Sequence, residues 1–264
     1  MLKNQKFLAF DTSTDTLSLA VTDGVRVWQH TGPGAAKSSA TLIPAILSLL
    51  AQAHLTLGAL DAVVFGRGPG SFTGLRTACS VAQGLAFGAN VKVLPIDTLM
   101  ALAEEARFTH SQATVHEPLH ITALLDARMD EMYVQSYEFY RGMCVKTSNC
   151  QLVRPENLHL HLPNDATAGS AIALLAGNVF DVYASRLPAQ LARLTCIAAA
   201  PTATALLRLA PALVAAGQCV AASLALPLYI RDKVALTTEE REQAKQAKAD
   251  TVAANALGQT NESS

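Results

Sequence analysis

The spacing of apolar positions changes several times along the chain, and each change marks an element. Lys6–Asp11 (KFLAFD) is a short continuous apolar run, the signature of a buried strand. Thr16–Thr22 alternates, Asp23-Gly24 supplies a hairpin turn, and Val25–His30 continues as a third strand. Gly32-Pro33-Gly34 breaks this meander, and from Lys37 to His54 the spacing becomes helical. Ala62–Phe65 predicts a strand running into Gly66-Arg67-Gly68-Pro69-Gly70, and Thr73–Phe87 a second helix. Val91–Pro95 predicts another strand and Asp97–Arg107 a third helix, with Asp97 or Thr98 as its cap. The predicted order is β-β-β-α-β-α-β-α.

The second half starts a similar pattern. Ile121–Ala127 reads as a strand, Glu131–Tyr140 alternates, Arg141-Gly142 turns, and Met143–Val153 returns. Pro155–Leu160 suits a short helix, Ala166–Ser170 a weak strand, and Pro201–Gly217 a helix with Pro at its start and Gly at its end. Two β-β-β-α-β-α halves imply a duplicated architecture. The expected domains are 1–107, carrying the partner-binding helices, and 108–235, with the helix 201–217 packing back on the first. A polar tail, 236–264 (from LTTEEREQAKQAKAD to NESS), follows.

Composition narrows the class. Half of the 264 residues are hydrophobic and only 16% are charged, which excludes a disordered chain. The longest apolar runs fall well short of the ~20 residues of a membrane helix. The opening MLKNQKFLAFDTSTD lacks the pattern of a signal peptide, so a soluble, cytoplasmic protein is expected. Twenty basic against twenty-one acidic residues leave no surplus for holding nucleic acid alone. The five cysteines are scattered and read as reduced thiols. The low charge itself suggests apolar surface reserved for a partner.

Gly66–Arg76, GRGPGSFTGLR, is the most informative run. A glycine loop feeding a helix can present N–H groups to a phosphate. It matches neither the Walker A loop nor the dinucleotide fingerprint, Pro69 removes one N–H from the cradle, and a tight structural turn is the commoner explanation of such a run. Asp11-Thr12-Ser13-Thr14 after the first strand suits phosphate or Mg²⁺ and equally suits a turn. The candidate phosphate-binding residues are therefore Asp11, Thr12, Ser13, Gly68, Gly70 and Ser71, lying between the two runs. His116/His120 and His159/His161 are weak metal candidates, since Pro118 and Pro163 argue against helical spacing. Asp126, Arg128, Asp130 and Glu131 form either a charged turn or a second wall of a site. No nucleophile–base pair supports a protease.

The helices carry a different signal. On the first, Ser39, Leu42, Ile43, Ile46, Leu47, Leu49, Leu50 and Ala53 fill an arc of roughly 160°, wider than the ~100° that one core needs. The second is small and apolar nearly all round: Ala78, Cys79, Ser80, Val81, Ala82, Gly84, Leu85. Either both are sandwiched in a core or one side meets another subunit. Leu42, Ile46, Leu49, Arg76, Ala78, Cys79, Ala82 and Leu85 are the candidate interface.

The glycine motif after an apolar strand, with DTST at the end of the first strand, resembles the TsaB (YeaZ) family. Asp126–Tyr133 (DARMDEMY) and Pro227–Arg231 (PLYIR) are similar to that family's second-domain and closing motifs. The resemblance implies an α/β fold of two related β-β-β-α-β-α domains, that of the actin-like ATPase superfamily. It implies a non-catalytic subunit of the complex that makes N6-threonylcarbamoyladenosine at A37 of tRNAs reading ANN codons. Its expected partners are a TsaD-like catalytic paralogue, a TsaE-like ATPase, tRNA through the complex, and a second copy of itself when alone. No cofactor of its own is expected; ATP/ADP and metal would belong to the partner or the interface. The alternative is a nucleotide-dependent kinase or ATPase of the same fold. Two features depart from the family pattern: DTST lacks the glycine of Asp-x-Gly-Thr, and Ser38-Ser39 stands where His-Ser is usual.

Overall fold

The computed structural model describes residues 4–34, 38–110, 118–160 and 172–231. The strand expected at Ala166–Ser170, the tail 236–264, Lys37, His116 and His161 lie outside the described residues. Met1–Ile230 forms one compact unit.

The first sheet has the order β3-β2-β1-β4-β5. Its strands are β1 (Phe7–Asp11), β2 (Thr16–Thr22), β3 (Val27–Pro33), β4 (Ala62–Gly68) and β5 (Lys92–Asp97). β1 is central and buried throughout. Its alternating side chains supply two cores: Leu8 and Phe10 face one, Phe7 and Ala9 the other. The turn into β3 is longer than Asp23-Gly24 alone, because the Asp23 carboxylate accepts the N–H groups of Val25 and Arg26. Helices α1 (Ser38–Gln52) and α2 (Phe72–Ala89) cover the Leu8/Phe10 face, as the spacing predicts.

The second sheet has the order β11-β10-β6-β7-β8, with β9 also paired to β7. Its strands are β6 (Leu119–Arg128), β7 (Glu131–Tyr140), β8 (Met143–Thr147), β9 (Gln151–Val153), β10 (Ile172–Gly177) and β11 (Thr195–Ala198). Read from the opposite edge, the order repeats that of the first sheet. In each, the first strand pairs antiparallel with the second and parallel with the fourth, and the fourth pairs parallel with the fifth. The fold is α/β with two related halves.

The last helices are exchanged between the halves. α3 (Thr98–Thr109) follows the first sheet but buries Leu99, Leu102, Ala103 and Ala106 against β6 and β7 of the second. α5 (Ala203–Ala215) follows the second sheet but buries Ala203, Leu206 and Ala210 against Phe7, Ala9 and Val64 of the first. Glu104 of α3, only 2% exposed, is paired by Arg107 and by Arg208 of α5 at 2.7 and 2.9 Å. Taking a carboxylate out of water is costly, and these two guanidinium groups supply the partners it requires.

Several elements differ from expectation. The 201–217 helix begins at Ala203 and is capped by the Thr202 hydroxyl, which accepts the Ala205 N–H; Pro201 lies outside it. Pro155–Asn157 is a single 3₁₀ turn. β11 and the one-turn helix α4 (Phe180–Tyr183) were not predicted.

Candidate functional site

Parallel pairing brings the two candidate motifs together. β1 and β4 run in register with Phe10 opposite Phe65, so Asp11 lies beside Gly66. A Cβ at Gly66 would sit 1.8 Å from an Asp11 carboxylate oxygen, which is why the position must be glycine. The ideal Cβ of Gly70 would meet Ser13, and that of Gly74 the Thr12 carbonyl oxygen, at 2.6 and 1.9 Å. The glycines thus admit the DTST turn itself.

The polar groups are consumed within this interlock. Asp11 is fully buried. Its Oδ1 accepts the N–H and hydroxyl of Ser13 at 2.8 and 2.5 Å, and its Oδ2 accepts the Thr98 hydroxyl at 3.3 Å. Thr98 Oγ1 in turn accepts the Gly68 N–H. Thr12 Oγ1 donates to the Gly74 carbonyl at 2.7 Å, and the Ser71 N–H donates to the Ser13 carbonyl at 2.7 Å. Ser71 caps α2 by accepting the Gly74 N–H. Burial pushes the Asp11 carboxyl above its ordinary value, against the opposing pull of the Ser13 and Thr98 hydrogen bonds.

Asp11, Thr12, Ser13, Gly68, Gly70 and Ser71 therefore meet, but they bind one another. The N–H groups of Gly68, Ser71 and Gly74, for which a phosphate in this loop would compete, are all engaged within the chain. As arranged, these residues are occupied by one another and do not fit a nucleotide phosphate. Among the described residues, no three His, Cys, Asp or Glu side chains gather in a way that could hold a metal. His120 lies on strand β6 beside Glu138.

The PLYIR segment fastens the outer side of the loop. The Leu228 N–H donates to the Arg67 carbonyl at 2.7 Å, and Tyr229 packs on Phe72 with ring centroids 5.3 Å apart. The Arg76 guanidinium lies 3.8 Å from the Phe72 ring centroid and donates to the Tyr229 hydroxyl. Cys79 and Gln83 of α2 both donate to the Ala225 carbonyl.

The residues proposed for a partner divide. Leu42, Ile46 and Leu49 of α1 and Ala78, Cys79 and Ala82 of α2 are buried in the protein's own core. That part of the expectation is corrected: they pack on β1, β2 and β4 and offer nothing to a second chain. The 160° arc overlaps two faces, and only its far edge reaches solvent. Ile43 and Leu47 are 44% and 54% exposed, and Phe87 is 84% exposed. Arg76 is exposed and Leu85 half-buried. On α2, Gly84 and Gly88 have open space where a Cβ would stand. Phe87 and Gly88 lie in the last turn of α2, beyond the small apolar run Ala78–Leu85 that marks the helix in sequence.

Asp126, Arg128 and Asp130 form a charged turn between β6 and β7. Asp126 Oδ1 accepts the Arg128 N–H at 2.9 Å and the Tyr183 hydroxyl at 2.8 Å. Burial, with Asp126 beside it, pushes the Tyr183 hydroxyl up to about 12. Beyond the carboxyl ends of β10 and β11 a cavity of about 380 Å³ is lined by Gly177, Asn178, Phe180, Asp181 and Ala198–Ala200. No sequence signal singled out its residues.

The family model described as "TsaD: tRNA N6-adenosine threonylcarbamoyltransferase" matches residues 33–257. The tRNA threonylcarbamoyladenosine biosynthesis protein TsaB of Escherichia coli is 28% identical over 247 residues, 87% of this chain and 96% of that protein. TsaB of Haemophilus influenzae is 39% identical over 132 residues, which span half of this chain and 53% of that protein. Among solved structures, YeaZ from Pseudomonas aeruginosa superposes with a TM-score of 0.74 at 34% identity, over 86% of this chain and all of that one. No helix among the described residues is long and apolar enough to cross a membrane.

Proposed function

We propose, from the premise that this chain belongs to the TsaB (YeaZ) family and takes part in threonylcarbamoyladenosine modification of tRNA, that it does so as a non-catalytic subunit. It scaffolds a TsaD-like catalytic paralogue, which transfers the threonylcarbamoyl group to A37 of ANN-decoding tRNA. The observation that carries this reading is the pairing of two features. The glycine loop is filled by the chain's own DTST turn, while the outer side of α1 and α2 leaves Ile43, Leu47 and Phe87 in solvent. Exposed large side chains on α1 and α2, with open space at Gly84 and Gly88 of α2, suit a helix of a second protein approaching closely. The chemistry, an acyl transfer to an exocyclic amine, would be carried by nucleotide and metal in the partner. A TsaE-like ATPase and tRNA would join through the complex, and the same face would pair two copies of this chain when the paralogue is absent.

Co-purification tests the reading. Leu47→Arg and Phe87→Arg place a charge on the outer face without entering the core. Each is expected to weaken binding of the paralogue by roughly 30-fold or more, the range of a central interface residue. Unchanged affinity in both variants, by titration calorimetry, would place the interface elsewhere.

A further inference from the structure

The glycine motif and the PLYIR segment each carry side chains that the interlock does not use. Phe72 and Arg76 of the motif take no part in holding the DTST turn; they meet Tyr229 instead. The stack fixes Arg76. Its guanidinium lies on the Phe72 ring, and its Nε donates to the Tyr229 hydroxyl at 3.3 Å. Tyr229 is held in turn by its packing on Phe72 and by the neighbouring Leu228 N–H, which donates to the Arg67 carbonyl. A long side chain is thus ordered before any ligand arrives, which lowers the entropic cost of binding. With Nε engaged, the two terminal nitrogens keep their fork, and the Tyr229 hydroxyl still has its own proton to donate. Arg76 is exposed and Tyr229 is 44% exposed.

The charge is also isolated. α1 contains no Asp, Glu, Lys or Arg, and Arg76 is the sole charged residue of α2. Among the described residues it forms no ion pair. Arg76 and Phe87 are eleven residues apart, close to three full turns. They therefore lie on one side of α2, within roughly 20° of each other and about 16 Å apart along its axis.

We propose that Arg76, set by Phe72 and Tyr229, receives a carboxylate of the protein that covers the outer face of α1 and α2. This rests on the reading that the face docks the catalytic paralogue. The occupant it fits is an apolar protein surface with one Asp or Glu about 16 Å along α2 from the group seated on Phe87. A protein carboxylate suits this face better than the phosphates of RNA, which would meet Ile43, Leu47 and Phe87 beside them.

Calorimetric titration of the paralogue with the full chain, at about 50 mM and about 500 mM salt, tests this. In the unmodified protein, affinity should fall several-fold across that range. Arg76→Met keeps an apolar stem on Phe72 and removes the charge. It should weaken binding by about tenfold at low salt and lose most of the salt response. Arg76→Lys keeps the charge without the planar fork and should fall between the two. Tyr229→Phe should weaken binding by about two- to five-fold alone and cost less than that on top of Arg76→Met, because both act on one carboxylate. Each variant should hold Tm within a few degrees, which separates recognition from folding. Leu47→Arg separates this inference from the reading beneath it. If Leu47→Arg weakens binding and Arg76→Met does not, the face is the interface and Arg76 is not its recognition residue. If neither weakens it, the interface lies elsewhere and both fail. An Arg76→Met loss as large at high salt as at low salt would make the contribution packing and overturn the carboxylate. So would an Arg76→Met complex that forms normally but loses affinity for tRNA, since Arg76 would then serve an RNA phosphate.

Discussion

Replacing Gly74 and Gly84 by alanine makes the same chemical change twice in one helix, yet the surroundings demand opposite outcomes. By helix propensity alone, each replacement in α2 stabilises by about 1 kcal/mol. At Gly84 nothing lies within 4 Å of the new methyl group, so that gain should appear in full. At Gly74 the methyl carbon would stand 1.9 Å from the Thr12 carbonyl oxygen and 2.9 Å from its carbon, atoms of the backbone that cannot rotate away. The turn must retreat, which strains the packing by about 1–3 kcal/mol. It also breaks the Thr12–Gly74 and Ser71–Ser13 hydrogen bonds, at about 1 kcal/mol each. Less the propensity gain, Gly74→Ala should lose roughly 2–4 kcal/mol. In thermal unfolding monitored by circular dichroism, Gly84→Ala should raise Tm by roughly 2–4 °C and Gly74→Ala lower it by roughly 4–16 °C. If the two variants shift Tm in the same direction, the interlock of turn and loop is wrong.

Other outcomes follow from particular groups. Asp11 has a raised carboxyl pKa, so the folded state binds a proton that the unfolded state has released. Stability relative to Asp11→Asn should therefore fall as pH rises from the ordinary carboxyl value of 3.8 through the raised one, measured by urea unfolding across that range. The opposite slope would mean that the hydrogen bonds outweigh burial. The Tyr137 hydroxyl is buried with no hydrogen-bond partner among the described residues, so Tyr137→Phe should leave stability unchanged or raise it by about 1 kcal/mol in the same assay. Ala78→Arg and Ala82→Arg should unfold or precipitate the chain when expressed alone, because both positions are wholly buried, whereas Leu47→Arg and Phe87→Arg should leave Tm within a degree or two.

Sequence spacing located most of the first half because its elements are strongly periodic and end at Gly, Pro or Asp. α2 matches its predicted span to within two residues at each end. β11 escaped notice because it is four residues long and mostly in solvent, so neither an apolar run nor a clean alternation marks it. The meaning of the glycine motif was not legible locally. Asp11 and Gly66 are brought side by side only by the parallel pairing of β1 and β4, and without that register a phosphate loop and a self-filled turn look alike. The proposed partner face is legible as an excess of apolar width but not as residues. Leu42 and Ile43 are adjacent in sequence with equal hydrophobicity, and only packing on β1 and β2 sends one inward and leaves the other in water.

The most direct measurement is the threonylcarbamoyladenosine content of bulk tRNA, by mass spectrometry, in cells depleted of this protein and supplied with variants. The nucleoside should fall on depletion and return with the unmodified chain. It should stay low with the double variant Leu47→Arg/Phe87→Arg, provided that the variant accumulates to the unmodified level. Modification that persists after depletion would contradict the account, and full rescue by the double variant would contradict docking through the outer face of α1 and α2.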